Sequence, residues 1–275
     1  MRLDQYVAQF WPEYSRSTWQ KYIEAGYVLV NSEVVTSTKY ALDEDDHVEV
    51  NVPEQTDFSN ESLPIIYEDD DVIVINKPVG VLTHSKGAMN DEFTVAEFVR
   101  PKTAYHAATN RPGIIHRLDR ATSGVIICAK NDASASYLQR QFSDRKVKKT
   151  YMAVVSGVPK QEKAIIDLPI ARNPSAPSTF KVDAAGKPAE TSYEIIKSNG
   201  TRTLVKLMPR TGRTHQLRVH MAYLGTPIVG DIVYGSEKAS RMFLHAASLE
   251  ITLPSRERRT FESPVPEEFQ EAVKK

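Results

Sequence analysis

Between Gly113 and Gly124 the chain reads Gly-Ile-Ile-His-Arg-Leu-Asp-Arg-Ala-Thr-Ser-Gly, and it passes straight into Val125-Ile126-Ile127-Cys128-Ala129. That apolar run is short and rich in β-branched residues, the pattern of a buried strand. One acid, Asp119, lies between Arg117 and Arg120, with His116 just upstream. The chain must therefore place a charged loop on the edge of a packed sheet. Loops held by a rigid scaffold are where catalytic groups tend to sit. An isolated Asp–Arg pair would read as an exposed ion pair of little energetic weight. Here the charged residues form a continuous block.

The 275 residues have room for one large domain, or a large and a small one. Cys128 is the only cysteine and lies inside the apolar run, so neither a disulfide framework nor a cysteine metal cluster can form. A reducing, cytoplasmic location fits. Met1-Arg-Leu-Asp-Gln-Tyr-Val has no continuous apolar core, and no apolar run approaches membrane-spanning length. The expectation is a cytoplasmic protein without a membrane partner.

The formal net charge is zero, but its distribution is lopsided. Residues 1–65 hold 4 Lys/Arg and 12 Asp/Glu, a net of −8; the remainder holds 31 and 23, a net of +8. The positive part carries the charged block. Binding to phosphates needs local positive charge, not a positive total.

Residues 1–52 read as a small module. Leu3, Tyr6, Val7 and Phe10 recur at helical spacing, and Pro12 ends the pattern. Ser15 to Thr18 offers caps for a second helix carrying Trp19, Tyr22 and Ile23 and ending near Gly26. Tyr27 to Val35 reads as a hairpin turning at Asn31-Ser32, and Val48 and Val50 alternate in a closing strand. Residues 53–64 are a polar linker bounded by prolines.

The second part, residues 65–275, opens with Ile65-Ile66-Tyr67, acidic residues 68–71 and the apolar run Val72 to Ile75. That run delivers Asn76-Lys77-Pro78-Val79-Gly80. Lys77 could contact a phosphate or pair with acids 68–71. Asn131-Asp132 caps a helix reaching about Phe142, and basic residues 145–149 lead into an alternating strand from Thr150. Further strands are expected at 165–170, 180–182, 192–196, 203–208 and 243–249. Past Thr211, helical spacing places Leu217, Met221 and Leu224 on a core face and Arg213, Gln216 and His220 on another. The many β-runs with sparse helices indicate an α+β class.

The block His116 to Arg120 with Thr122-Ser123-Gly124 resembles the signature of the RluA-type RNA pseudouridine synthases. Four further stretches resemble that family's motifs: Asn76 to Gly80, Lys149-Thr150-Tyr151 to Gly157, Thr211-Gly212-Arg213 to Tyr234-Gly235, and Phe243 to Leu249. After the first of these the family often has His-Pro-Gly, where this chain has His84-Ser85-Lys86-Gly87. Tyr14 to Asn31 resembles the alpha-L RNA-binding motif that precedes many such catalytic domains.

The resemblance implies a pseudouridine-synthase fold, a mixed and mostly antiparallel sheet with flanking helices and a central cleft. It implies isomerisation of uridine to pseudouridine without a cofactor or a metal. It makes Asp119 the catalytic carboxylate, Tyr151 the ring that stacks on the target uracil, and Arg213 the ion-pair partner of Asp119. The uridine has to leave its stack to be reached, with Arg117 filling the vacated place. Phosphate contacts would fall to Arg120, Lys146, Lys148, Lys149 and Arg218, with Arg16 the contact from the N-terminal module. Large-subunit ribosomal RNA is the expected partner, transfer RNA the alternative, and a monomer the expected state. A metal reading of His215 and His220 fails, since five residues diverge by about 140° on a helix. Two rival readings are a non-catalytic RNA-binding or ribosome-assembly protein and a hydrolase that releases free uracil.

Overall fold

The computed structural model describes residues 1–52, 56–85, 92–235 and 237–274. The start of the expected linker and the Lys86-Gly87 stretch lie outside the described residues. The chain divides into two compact units, one essentially Met1–Asn60, the other Glu61–His84 with Phe93–Lys275.

The first unit holds α1 (Leu3–Phe10), α2 (Arg16–Glu24) and strands β1 (Val28–Val30), β2 (Glu33–Val34) and β3 (Val48–Val50), ordered β2-β1-β3. The α2 N-cap is Ser15, whose Oγ accepts from the Thr18 amide at 3.3 Å. Leu3 and Val7 of α1 pack on Trp19 and Ile23 of α2 and on Val28 and Val30. Asn31 and Ser32 both take positive φ, 51° and 68°, which two-residue hairpin turns require.

The second unit is built on a nine-stranded sheet. Its elements in chain order are β4 (Ile65–Glu68), β5 (Val72–Lys77), α3 (Val95–Val99), β6 (Ser123–Ala129), α4 (Asp132–Ser143), β7 (Lys148–Ser156) and β8 (Lys163–Asp167). Then come β9 (Ile170–Arg172), β10 (Phe180–Val182), β11 (Glu190–Ser198), β12 (Arg202–Pro209), α5 (Gln216–Tyr223), β13 (Leu244–Thr252), β14 (Arg258–Glu262) and α6 (Glu267–Glu271). The sheet order is β4-β5-β6-β13-β7-β12-β11-β8, with β14 beside β13 and β9 and β10 paired apart. Every pairing in it is antiparallel except β13 with β6.

The apolar runs have a direct physical reason. Val72 and Val74 of β5 and Val125 and Ile127 of β6 face α4, through Ala135 and Leu138. The alternate residues Ile73, Ile75, Ile126 and Cys128 face α3, through Val95, Ala96 and Val99. Covered on both faces, these strands lose the in–out alternation of a half-solvated sheet. At the other end β7 and β12 bury Ala153, Val155, Val205 and Leu207 against Leu217 and Met221 of α5. The parallel junction needs a glycine. Gly124 has φ +109°, and a Cβ there would stand 2.2 Å from the Ala246 carbonyl oxygen.

Three details depart from the expected pattern. The helix after Thr211 starts at Gln216, so Arg213 precedes it. Leu224 caps that helix and is exposed, not on the core face. Strand β14 and helix α6 carry no strong periodicity and were not anticipated.

Candidate active site

The charged block forms the loop before β6, and the Asn76 to His84 stretch holds it. The Thr83 hydroxyl donates to the Leu118 carbonyl at 2.8 Å and accepts from the Leu118 amide at 3.1 Å. The Gly80 amide donates to the Arg120 carbonyl at 2.9 Å. Within the loop, the Thr122 amide donates to the Asp119 carbonyl at 3.0 Å. The residue on each side of Asp119 is thus fixed through its backbone.

Lys77 completes this clamp and corrects both expectations for it. It is fully buried, and its Nζ donates to the carbonyls of Pro78 and Val81 at 2.8 Å each and of Arg120 at 3.4 Å. It reaches neither solvent nor acids 68–71. Burial pushes its pKa down to about 7, against the opposing pull of the Asp119 charge.

His116 is likewise a structural group. Its Nε2 accepts from the Ile127 amide at 3.1 Å, and its ring stacks on Phe142 at 4.7 Å. Accepting there requires an unprotonated Nε2, and burial holds the ring neutral, its pKa pushed down to about 3.

Asp119 itself is part-buried, with a side-chain exposure of 21%. Its Oδ2 accepts from Arg218 Nη1 at 3.2 Å and lies 3.7 Å from His215 Nε2. The guanidinium on Asp119 therefore belongs to Arg218, not to Arg213. The reason is the turn before α5. His215 takes φ 57°, a left-handed conformation, so the chain reverses between the two arginines. Arg213 Nε donates instead to the Pro188 carbonyl at 3.0 Å. Arg218, expected on phosphate, is buried inside the helix–sheet packing.

Arg218 is anchored behind Asp119. Its Nε and Nη2 donate to both oxygens of the buried Asp231 at 2.7 and 2.9 Å, a two-point contact that fixes the plane of the guanidinium. Its Cζ also stands 5.0 Å from the Tyr234 ring centre. The Tyr234 oxygen accepts from the Phe180 amide at 3.0 Å and lies 2.7 Å from His215 Nδ1. His215 is thus held between Tyr234 at Nδ1 and Asp119 at Nε2.

Asp119 opens onto a cleft of about 140 Å³ that is also lined by Tyr151, Arg117, Lys149, His215 and Arg218. A dry cavity of roughly that volume holds one benzene-sized ring. Burial and the charge of Asp119 both push the Tyr151 phenol above its usual range, so at neutral pH it is protonated.

The other expected contacts separate into two sets. Arg117 and Arg120 are exposed beside the cleft. Lys146 pairs with Asp144 at 3.2 Å, and Lys148 pairs with Glu250 at 3.1 Å. Lys149 turns inward, and its Nζ donates to the Thr211 carbonyl at 3.0 Å. In the first unit the Arg16 guanidinium is committed to Asp4 at 2.9 Å. His220 does not meet His215; it bonds Thr191 Oγ1 and the Leu168 carbonyl at 3.0 Å each. Asp231 and Tyr234, which hold the site together, were visible only as letters in a longer block.

Residues 71–223 match the family model described as RNA pseudouridylate synthase, and residues 1–48 match the S4 domain model. The chain belongs to the RNA pseudouridylate synthase family. A ribosomal large subunit pseudouridine synthase D of Pasteurella multocida is 36% identical, covering 99% of this chain and 90% of that protein. An uncharacterized RNA pseudouridine synthase of Aquifex aeolicus is 40% identical, over 87% of this chain and 78% of that one. Among solved structures, Human RNA Pseudouridylate Synthase Domain Containing 1 superposes with a TM-score of 0.62 at 30% identity, covering 76% of this chain and 86% of that one. The pseudouridylate synthase fold and an N-terminal S4 domain are thus common ground, and the chain is an RNA-modifying isomerase. Among the described residues no helix is long and apolar enough to cross a membrane.

Proposed function

We propose that this pseudouridine synthase acts on large-subunit ribosomal RNA in the cytoplasm and that Asp119 is its catalytic carboxylate. One observation carries the assignment of Asp119. Oδ2 is tied to a guanidinium that is itself fixed by Asp231, while Oδ1 accepts no hydrogen bond from the described residues beside a ring-sized cleft. A carboxylate oriented at one oxygen and open at the other is poised to react. The ribosomal assignment draws on the relative named for the large subunit, which matches nearly the whole chain.

In the reaction the N1–C1′ bond breaks, the uracil turns, and C5 bonds to C1′; C5 gives up its proton and N1 takes one up. The net change is an isomerisation. Arg218, itself fixed by Asp231, aims the Asp119 carboxylate. The Tyr151 ring supplies a face for the uracil while it is detached. Its phenol, protonated at neutral pH, is a hydrogen-bond donor there, not an ionised base. Residues 1–52 form the RNA-binding module, 53–64 the linker, and 65–275 the catalytic domain.

The test is tritium release from RNA labelled at uracil C5, with ribosomal RNA and bulk transfer RNA, for the native protein and Asp119→Ala. Release from ribosomal RNA by the native protein alone, with pseudouridine in the digest, is the expected result. Release from transfer RNA alone would move the substrate. Free uracil in place of pseudouridine would make the protein a hydrolase. Loss of RNA binding along with activity in Asp119→Ala would make Asp119 a structural residue.

A further inference from the structure

A second cavity of about 440 Å³ adjoins the cleft and shares Arg117, Lys149, Tyr151 and Arg213 with it. Its remaining cations are Arg145 and Arg210, and no carboxylate lines it. Among the described residues Arg117, Arg145, Lys149 and Arg213 make no ion pair. Arg210 pairs with Glu190 at 3.1 Å, but its side chain is 61% exposed. Such a contact is weak and readily exchanged.

Arg145 gives an independent sign. Helix α4 ends in a Schellman motif: the Lys146 amide bonds the Gln141 carbonyl at 2.9 Å and the Arg145 amide bonds the Phe142 carbonyl at 3.2 Å. The residue at the left-handed position of that motif is usually glycine. Here it is Arg145, with φ 59°. A side chain kept where its backbone is strained points to a use for that side chain.

We propose that this groove is the seat of the phosphodiester strand that continues from the extruded uridine, with Arg145 and Arg210 as its outer phosphate contacts. The inference rests on the RNA-isomerase reading above. Its shape favours a polymer over a small anion, since the shared wall makes cleft and groove one path. A base enters the first while its own strand runs through the second. Arg145 and Arg210 line the groove, and Lys146 and Lys148, expected from sequence, do not.

The experiment measures RNA affinity across a salt series, using ribosomal RNA and a fluorophore-labelled single-stranded oligouridylate. It compares the full-length native protein with Arg145→Gly, Arg145→Lys, Arg210→Ala and the double variant Arg145→Gly/Arg210→Ala. Lys160→Ala, outside the groove, is the control. Each lost phosphate contact on a single strand lowers the log–log salt slope by about 0.7, so the double variant loses about 1.4. Arg145→Gly is expected to raise the thermal midpoint while weakening binding, and Arg145→Lys to restore the slope. A purely structural Arg145 would leave the slope unmoved in Arg145→Gly. An unchanged slope in the double variant, or an equal loss in Lys160→Ala, overturns the groove. Native protein that releases tritium while the variants bind normally sinks the groove alone. Native protein that neither binds nor isomerises RNA removes the reading beneath it as well.

Discussion

Asp4 and Asp119 both face arginines, and they are built differently. Asp4, in the N-terminal unit, is fully buried and accepts from Arg2, Arg16 and Gln20 at 2.7 to 3.1 Å. Burial alone would raise its pKa; the hydrogen bonds from Gln20, Arg16 and Arg2 outweigh that and hold it down at about 2. Among the described residues the Asp119 carboxylate accepts one hydrogen bond, at one oxygen, from an arginine whose better contacts are spent on Asp231. A carboxylate saturated with donors ties elements together and does nothing else. One held at a single oxygen keeps the other for chemistry. The same residue types thus give a rivet in one unit and, on the function proposed above, a reactive group in the other, and the number of donors on each carboxylate separates the two.

The largest test of that contrast is Arg218→Lys. A lysine cannot span Asp119 and Asp231 with fixed geometry, and turnover should fall about a hundredfold or more, the scale of removing one preorganised donor. Arg213→Ala should lose at least about tenfold less. Equal losses in single-turnover assays would restore Arg213 as the partner of Asp119. Asp4→Ala comes next. It removes the acceptor shared by Arg2, Arg16 and Gln20 and should destabilise its unit by about 2 kcal/mol, read by thermal and urea unfolding. A change within error would show that Asp4 ties nothing together. Its stabilisation is present above the unfolded pKa near 3.8 and fades as pH falls toward about 2.

Tyr151→Ala removes a stacking face worth about 1–3 kcal/mol and should slow turnover roughly tenfold to a hundredfold, with Tyr151→Phe losing much less. If Tyr151→Phe fails as badly, the hydroxyl and not the ring is the working part. The smallest effect concerns His116. Its folded pKa near 3 lies below the unfolded 6.5, so the unfolded state binds more protons between them. Stability should therefore fall as pH drops through that window. His116→Phe should flatten the slope by up to one proton, measured by unfolding at stepped pH.

The sequence carried the strands and the loop because burial on both faces writes itself as runs such as Val125 to Ala129, and because the charged block is contiguous. Asp119 and Tyr151 could be picked out for the same reason. What it could not carry was pairing at a distance. Arg213 and Arg218 are alike as letters; the left-handed turn at His215 and the buried Asp231 decide between them. Lys148 looked free until β13 brought Glu250 beside it. Lys77 looked exposed because lysines usually are, yet three carbonyls enclose it.

The parallel junction of β6 with β13 has a consequence for the making of the protein. Ser123 Oγ meets His245 Nδ1 at 2.8 Å across 122 residues of chain. Chains emerge from the ribosome at roughly 5–20 residues per second and fold as their segments appear. During synthesis Asp119 is therefore out long before the strand that seats its loop against β7. A nascent chain short of Leu244 lacks a strand that lines the cleft, so the site proposed for the uridine is complete only once β13 has been made.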